Sequence, residues 1–219
     1  MQKINAKGGV FNEKDVSLGL IASLLHDTGY IQEHGDEAGT GAKYTLVHVK
    51  RSIRFVEHYF SLDGYSREDF CRCRSYLECT GLDVSVEQIR FDAVEHRLLG
   101  RMLGAADLLG QMANRTYLEK LPFLFREFEE GGVPGFGDEL ELLSKTPDFW
   151  EFCKYRFSTE LEGVDAYMRH HFKVRWGIDR DLYREAIENN ISYLKSVLLD
   201  HPCDYRNYLR RGGFMEIRL

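Results

Sequence analysis

Apolar residues recur along the chain with the spacing of α-helices, and no segment alternates convincingly between apolar and polar residues as a half-buried strand does. Only four prolines interrupt the 219 residues. The chain is therefore predicted to be all-α. The spacing places helices at residues 15–28, 45–60, 66–79, 86–113 and 180–199. Thr45 is predicted to be the N-cap of the second of these helices.

Two more helices are predicted from local signals. One lies within residues 115–132 and is expected to be interrupted at Pro122, because a proline inside a helix removes a backbone hydrogen bond. The other is expected to begin with Thr146 as its N-cap and Pro147 in its first turn. Its apolar stripe continues to Met168.

The stretch GGVPGFG, residues 131–137, is predicted to be a loop and the boundary between two parts of the chain. Residues 1–130 are expected to form the main helical domain. Residues 131–219 are expected to form a helical extension that packs on it. No internal repeat is evident in either part.

The first predicted helix raises the question of what its polar end is for. The apolar residues between Val16 and Leu25 cover most of the helix circumference, which predicts a helix buried on several sides. Gly29 is a natural stop signal, so His26 and Asp27 are expected at the inner end of a buried helix. A buried carboxylate without a partner costs several kcal/mol. A charged side chain, a helix N-terminus or a metal ion must therefore compensate Asp27.

Two more polar residues occupy faces that the apolar pattern predicts to be buried. Asp107 lies in the otherwise apolar stretch MLGAADLLGQM, with Gly104 and Gly110 leaving little side-chain bulk around it. His48 lies among apolar neighbours in the first turn of its predicted helix. Each has an ordinary alternative explanation: His48 as a hydrogen-bonded core residue, and Asp107 as the cap of a neighbouring helix or the partner of an arginine. The succession His-Asp, His and Asp on buried helical faces is the stronger signal.

The residue types in this set indicate a metal site. Imidazole and carboxylate ligands without a thiolate suit Mn, Fe, Co, Ni or Zn, and a carboxylate-rich set also suits Mg. A divalent metal ion at such a site activates water and polarises a phosphoryl oxygen.

The stretch LLHDTGY, followed by His48 and then MLGAAD, resembles the HD-domain superfamily of metal-dependent phosphohydrolases over about residues 15–120. The resemblance implies an HD-domain-like helical bundle with a helical C-terminal extension. It also implies that His26 and Asp27 correspond to the metal-binding doublet and Asp107 to the late aspartate. His48 then corresponds to the additional histidine of branches that bind two metal ions.

The function implied by the resemblance is metal-dependent hydrolysis of a phosphate ester, with a nucleotide as one candidate substrate. In this hypothesis Asp27 and His48 are the catalytic residues: Asp27 anchors or bridges metal, and His48 binds a second metal or the leaving group. Arg51 follows His48 by one turn and is predicted to hold a substrate phosphate. A solvated surface arginine is the alternative for Arg51.

One departure from the family pattern leaves other functions open. The family's first histidine lies on a helix well upstream of the doublet, whereas His26 is the first histidine of this chain. Asn12, Glu13 and Asp15 are poor substitutes for it. Either the chain begins late, or a distant residue replaces the histidine, or the site is degenerate. The alternatives are an inactive HD module that binds a nucleotide or partner protein, and a di-iron oxygenase on the same fold.

Composition narrows the classes of partner. The formal net charge of -6 argues against general nucleic-acid or anionic-membrane binding, although a local basic patch is compatible with it. The N-terminus has no apolar run typical of a signal peptide, and no run approaches the ~18 residues of a membrane span. The five cysteines include no C-x-x-C pair and are expected to be reduced thiols. These features predict a cytoplasmic protein, and they allow a homodimer.

Overall fold

The computed structural model describes residues 11–209, and in that range the chain forms eight α-helices and no strand. The all-α prediction is confirmed. The helices are α1 (Glu13–Leu25), α2 (His48–Leu62), α3 (Arg67–Glu78), α4 (Val94–Met112), α5 (Tyr117–Gly131), α6 (Glu139–Ser158), α7 (Tyr167–Trp176) and α8 (Leu182–Asp200). Short 3₁₀ turns lie at Thr28–Tyr30, Gly41–Tyr44, Val86–Gln88, Val164–Ala166 and Tyr205–Asn207.

Helix α4 is central because it contributes to two apolar clusters. Its Leu103 packs with buried residues of α1, α2 and α3, including Leu18, Phe60 and Leu77. Its Leu108 packs in a larger cluster that also contains buried side chains of α5, α6 and α8. Helix α4 therefore connects the segment that carries His26 to the rest of the molecule.

The starts of α1 and α3 are fixed by reciprocal capping. The Asn12 side chain accepts a hydrogen bond from the Asp15 N–H at 2.9 Å, and the Asp15 carboxylate accepts one from the Asn12 N–H at 3.2 Å. Ser66 and Asp69 cap α3 in the same way. Each pair satisfies backbone donors that the first helical turn leaves unpaired. Because of this cap, helix α1 begins two residues before the predicted start. At its other end, the helix stops at Leu25 rather than at residue 28.

Two other predicted helix starts are wrong. Thr45 does not cap α2: it ends the Gly41–Tyr44 turn, and Val47 precedes the helix. The predicted helix at 86–113 is a 3₁₀ turn followed by α4, because the chain is extended at Ile89 and Ala93. Ile89 is buried as the apolar pattern suggested, but in a loop.

The two prolines expected to disturb helices lie inside them. Pro122 is buried within α5, which is not interrupted. Pro147 lies in the middle of α6, which begins at Glu139 with Asp138 as its N-cap, so the predicted start at Thr146 is wrong. Helix α6 ends at Ser158, before Met168, because the backbone is left-handed at Glu162 (φ 50°) and at Gly163 (φ 74°).

The prediction that α1 is buried on several sides is also wrong. Leu18 and Ala22 are buried, but Val16, Leu20 and Leu24 are 45%, 62% and 80% exposed. These three residues recur every four positions and so lie along one face of the helix. Helix α1 thus packs on α3 and α4 through one side only.

The loop expected at 131–137 begins at the end of α5, where Gly132 has a φ of 66° and closes the helix. The larger apolar cluster joins helices from both sides of this loop, for example through Leu118 and Leu143. The division of the chain into parts at residue 131 stays a prediction. All five cysteines are free. Among residues 11–209, no helix is long and apolar enough to cross a membrane.

Candidate functional site

An open pocket of about 370 Å³ lies between the end of α1 and the middle of α4. His26, Asp27 and Asp107 line it, so the structure brings together three of the predicted site residues across 80 positions of sequence. Gln111 lies one turn after Asp107 and also lines the pocket. Side chains are small on both helices here, at Ser23, Ala106 and Gly110, and this leaves the space that the pocket occupies.

The His26 imidazole faces both carboxylates with a single nitrogen. Its Nδ1 lies 2.8 Å from the carbonyl oxygen of Ser23, which accepts the Nδ1 proton. Its Nε2 lies 3.3 Å from Asp27 Oδ2 and 3.5 Å from Asp107 Oδ1. The Ser23 contact therefore fixes the ring so that Nε2 points into the pocket.

The carboxylates at this site are less buried than expected. The Asp27 side chain is 58% exposed and that of Asp107 is 32% exposed. The expectation of an inner helix end is wrong because α1 is exposed along one face. Because both carboxylates are partly exposed, solvent and His26 together stabilise their negative charges. The additional charged partner that a fully buried carboxylate would need is therefore not required.

Hydrogen bonds to Asp107 and then to Asp27 raise the pKa of His26 to about 10. The same contact with His26 lowers the pKa of Asp27. Without a metal ion, His26 is therefore an imidazolium held between two carboxylates at neutral pH.

We expect the metal-free protein to lose stability with rising pH through His26. Its pKa rises from about 6.5 in the unfolded chain to about 10 in the fold, so its contribution is fully present below pH 6.5 and disappears as the pH approaches 10. Urea unfolding with EDTA, at several pH values, measures this contribution as the difference between the native chain and His26→Gln. A difference that stays constant between pH 6 and pH 9 would contradict the ion-paired imidazolium.

The end of α1 is held against α2 by a close backbone approach. The chain turns through Thr28–Tyr30, and a Cβ added at Gly29 would lie 1.9 Å from the carbonyl oxygen of His48. Buried Ser52 completes this junction: its hydroxyl accepts a hydrogen bond from the Gly29 N–H at 2.8 Å and donates one to the His26 carbonyl oxygen. Helix α2 therefore positions the turn that carries His26 and Asp27.

Replacing Ser52 by alanine should destabilise the protein by about 1–3 kcal/mol, because it leaves a buried donor and a buried acceptor unsatisfied. Ser61→Ala is the matched control, since Ser61 is on the same helix but its hydroxyl bonds only the nearby His58 carbonyl at the surface. Urea unfolding of both variants measures the difference. Equal effects would show that Ser52 does not hold the junction.

His48 lies beside this turn but does not line the pocket. Its ring stacks on Tyr30 with centroids 4.5 Å apart, and its Nδ1 lies 2.6 Å from the Thr45 carbonyl oxygen. Its charge contributes to the lowered pKa of Asp27, after the larger effect of His26, so the two groups interact across the turn. Its role in metal or substrate binding stays a prediction.

Arg51 directs its guanidinium back to the protein. Nε donates to the Gly29 carbonyl oxygen at 2.7 Å and Nη2 to that of Ile31 at 2.8 Å. The guanidinium also lies over the ring of Tyr44, 3.6 Å from its centroid. In this arrangement Arg51 positions the turn after Asp27, while its predicted role in substrate binding stays a prediction.

Sequence reasoning did not single out Tyr30, which interacts electrostatically with Asp27 and Asp107, or Glu127, which interacts electrostatically with Tyr30. Burial raises the pKa of Tyr30, and the charges of Asp27, Glu127 and Asp107 add smaller effects in the same direction. Burial also raises the pKa of Glu127. Helix α5 approaches this region closely, because a Cβ on Gly131 would lie 3.0 Å from the Cβ of Thr45. No pattern in the stretch FREFEEGG distinguishes Glu127 from its neighbouring glutamates.

The imidazole and carboxylate groups of His26, Asp27 and Asp107 are suitable ligands for a divalent metal ion, and their spacing fits one ion in part. Two ligand atoms that each lie ~2.1 Å from one ion at a tetrahedral angle are ~3.4 Å apart, close to the two distances from His26 Nε2. Within the described residues, however, no group of three His, Cys, Asp or Glu side chains is already arranged to hold an ion. Binding through His26, Asp27 and Asp107 together thus requires side-chain adjustment and loss of the His26 proton.

The model of the family described as Npun_R2479-like matches residues 34–160, more than half of the chain. The matched range contains His48, Arg51 and Asp107 but begins after His26 and Asp27. No curated protein and no solved structure matches the chain.

Proposed function

We propose that this chain, which belongs to the Npun_R2479-like family, is a metal-dependent phosphohydrolase on an HD-domain-like helical bundle. The convergence of His26 Nε2 on the carboxylates of Asp27 and Asp107, at the edge of an open pocket, carries this proposal. The substrate is a phosphate ester small enough for the pocket, with a nucleotide as one candidate.

His26, Asp27 and Asp107 would hold the ion. When bound, a divalent metal ion lowers the pKa of water and polarises a phosphoryl oxygen. The Ser23 carbonyl keeps the Nδ1 proton of His26 in place, so Nε2 is the atom that would give up its proton and bind the ion. Asp27 and Asp107 supply the negative charge that balances the ion.

His48 and Gln111 would act on the substrate side. Nδ1 of His48 is committed to the Thr45 carbonyl, which leaves Nε2 to bind a second ion or to donate a proton to the leaving group. The Tyr30 ring holds the imidazole in plane-to-plane contact and so limits its rotation. Gln111, at the pocket, offers an amide that can hydrogen-bond either Asp107 or a substrate oxygen.

The test combines metal binding with phosphate release. Calorimetric titration of Mn²⁺ into the full chain measures affinity, and phosphate release from a panel of nucleotides and simple phosphomonoesters, with and without Mn²⁺, measures activity. The proposal expects both binding and Mn²⁺-dependent release, each lost in His26→Gln.

The rival functions give different results in the same experiments. A degenerate HD module would bind nucleotide without releasing phosphate. A di-iron oxygenase would purify with iron and consume oxygen. Either result would replace the phosphohydrolase proposal.

A further inference from the structure

Helix α1 has an apolar face that the fold leaves in water. Its three exposed large side chains, those of Val16, Leu20 and Leu24, recur every four residues and so lie within about 80° of one another around the helix. The opposite side of the helix packs on α3 and α4, and its Leu18 and Ala22 are buried there. The exposed side chains therefore form one continuous stripe, which we call the α1 stripe, on a helix that is attached to the core.

The α1 stripe carries no charge. The sequence from Val16 to Leu25 contains no Asp, Glu, Lys, Arg or His, although charged residues make up 29% of the whole chain. An anionic membrane or a nucleic acid is held by cations, but the residues at the two ends of the stripe, Glu13 and Asp27, are acidic. Lys14 is already paired with a buried carboxylate of α3 at 2.8 Å. The distribution of charge therefore favours a protein surface that is equally uncharged.

The shape of this face fits a second copy of itself. The α1 stripe is a ridge of residues spaced four apart, and small residues border it: Ser17 on one side, and Gly19 and Ser23 on the other. A two-fold dimer brings identical surfaces together, so its contact surface must complement itself. Ridges of this spacing pack into the grooves beside the same ridge of another helix when the two helices cross at about −50°. The helices diverge beyond such a crossing, which keeps their acidic ends apart.

We propose that this chain forms a two-fold symmetric dimer in which α1 of one copy crosses α1 of the other near Leu20. Leu20 is the middle of the α1 stripe, so a crossing there places Val16 of each copy beside Leu24 of the other. Removing these side chains from water is the driving force. A single helix crossing belongs to the small end of specific interfaces, about 600 Å² per partner, so we expect a dissociation constant in the micromolar range.

The position of α1 places this contact next to the candidate site. Ser23 borders the α1 stripe and also lines the pocket that contains His26 and Asp107. A second copy would therefore lie beside the pocket. The dimer follows from the exposed face of α1 alone and does not depend on the phosphohydrolase activity proposed above.

Sedimentation velocity of the full chain, from low to high micromolar concentration, tests this inference. A dimer is expected to form as the concentration rises. Leu20→Ser should weaken dimerisation about 100-fold, because each dimer loses two leucine side chains from the contact and each contributes about tenfold. Added salt should leave the dimer intact or strengthen it, because the contact is uncharged and salt screens the repulsion between two acidic copies.

Leu199→Ser is the matched control, because Leu199 is an exposed leucine near the end of α8. It should dimerise as tightly as the native chain. Leu20 is exposed as well, so Leu20→Ser should keep the native helix content, which circular dichroism measures. The inference is overturned if the native chain stays monomeric at high micromolar concentration, or if added salt dissociates the dimer. Equal dissociation constants for Leu20→Ser and Leu199→Ser would also overturn it, because the contact would then lie elsewhere.

Discussion

Replacing Asp107 by asparagine should weaken Mn²⁺ binding by at least about 100-fold and abolish Mn²⁺-dependent phosphate release. Asparagine keeps the size of the side chain but removes the negative charge that lies 3.5 Å from His26 Nε2. The site then retains one carboxylate and one imidazole, too few ligands to hold an ion against water. Calorimetric titration measures the affinity, and the phosphate-release assay measures the activity.

Asp148→Asn is the control for the change in net charge, because Asp148 is exposed on α6 and far along the chain from the pocket. It should bind Mn²⁺ as the native chain does. Unchanged Mn²⁺ affinity in Asp107→Asn would place the ligands elsewhere and remove the basis of the proposed function. Loss of binding in both variants would indicate a general charge effect instead.

The sequence predicts best where local signals and packing agree. Helices α3 and α8 lie within about two residues of their predicted limits, because a polar cap precedes each one and a continuous apolar stripe follows. Helix α6 shows what happens when local signals compete. Thr146 and Pro147 resemble a helix start, but Asp138 accepts a hydrogen bond from the Glu141 N–H at 2.8 Å and begins the helix earlier. Buried Leu142, Leu143 and Trp150 lie on either side of the proline, so packing keeps the helix continuous there.

Apolar periodicity alone does not show which apolar residues are buried. The pattern over α1 cannot distinguish Leu18, which is buried, from Leu20 and Leu24, which are exposed, since all three are equally apolar. For α4, the buried residue Ile89 fits the helical period, but it reaches the core from an extended segment. Burial depends on which elements pack against each face, and this information is non-local.

The dependence on non-local packing also determines how much of the site can be predicted from the sequence. Asp107 and the His26–Asp27 doublet stand out because polar residues interrupt apolar stretches, and the structure brings them together. Glu127 is one glutamate among several, and only the close approach of α5 to Thr45 places it near Tyr30. The role of Ser52 also depends on tertiary structure, because its two partners lie on the turn after α1.

Gly104 and Gly110 lie on the same helix as Asp107, and alanine at these two positions should have effects of opposite sign. A Cβ on Gly104 would lie 2.5 Å from the carbonyl oxygen of Cys79 at the end of α3, a backbone atom that cannot rotate away. That carbonyl also accepts a hydrogen bond from the buried Arg156 guanidinium at 3.2 Å. Gly104→Ala must therefore separate α3 from α4, and we expect a loss of about 3 kcal/mol in the free energy of unfolding.

Gly110 offers the matched comparison because a Cβ there meets nothing within 4 Å. Alanine restricts the unfolded chain and favours the helix, so Gly110→Ala should raise the free energy of unfolding by about 0.5–1 kcal/mol. Urea unfolding of both variants tests the pair. If Gly104→Ala were also stabilising, α3 and α4 could not pack as closely as described. Because α4 carries Asp107 and packs on α1 as well as on α3, the convergence of Asp107 on His26 would then lose its structural support.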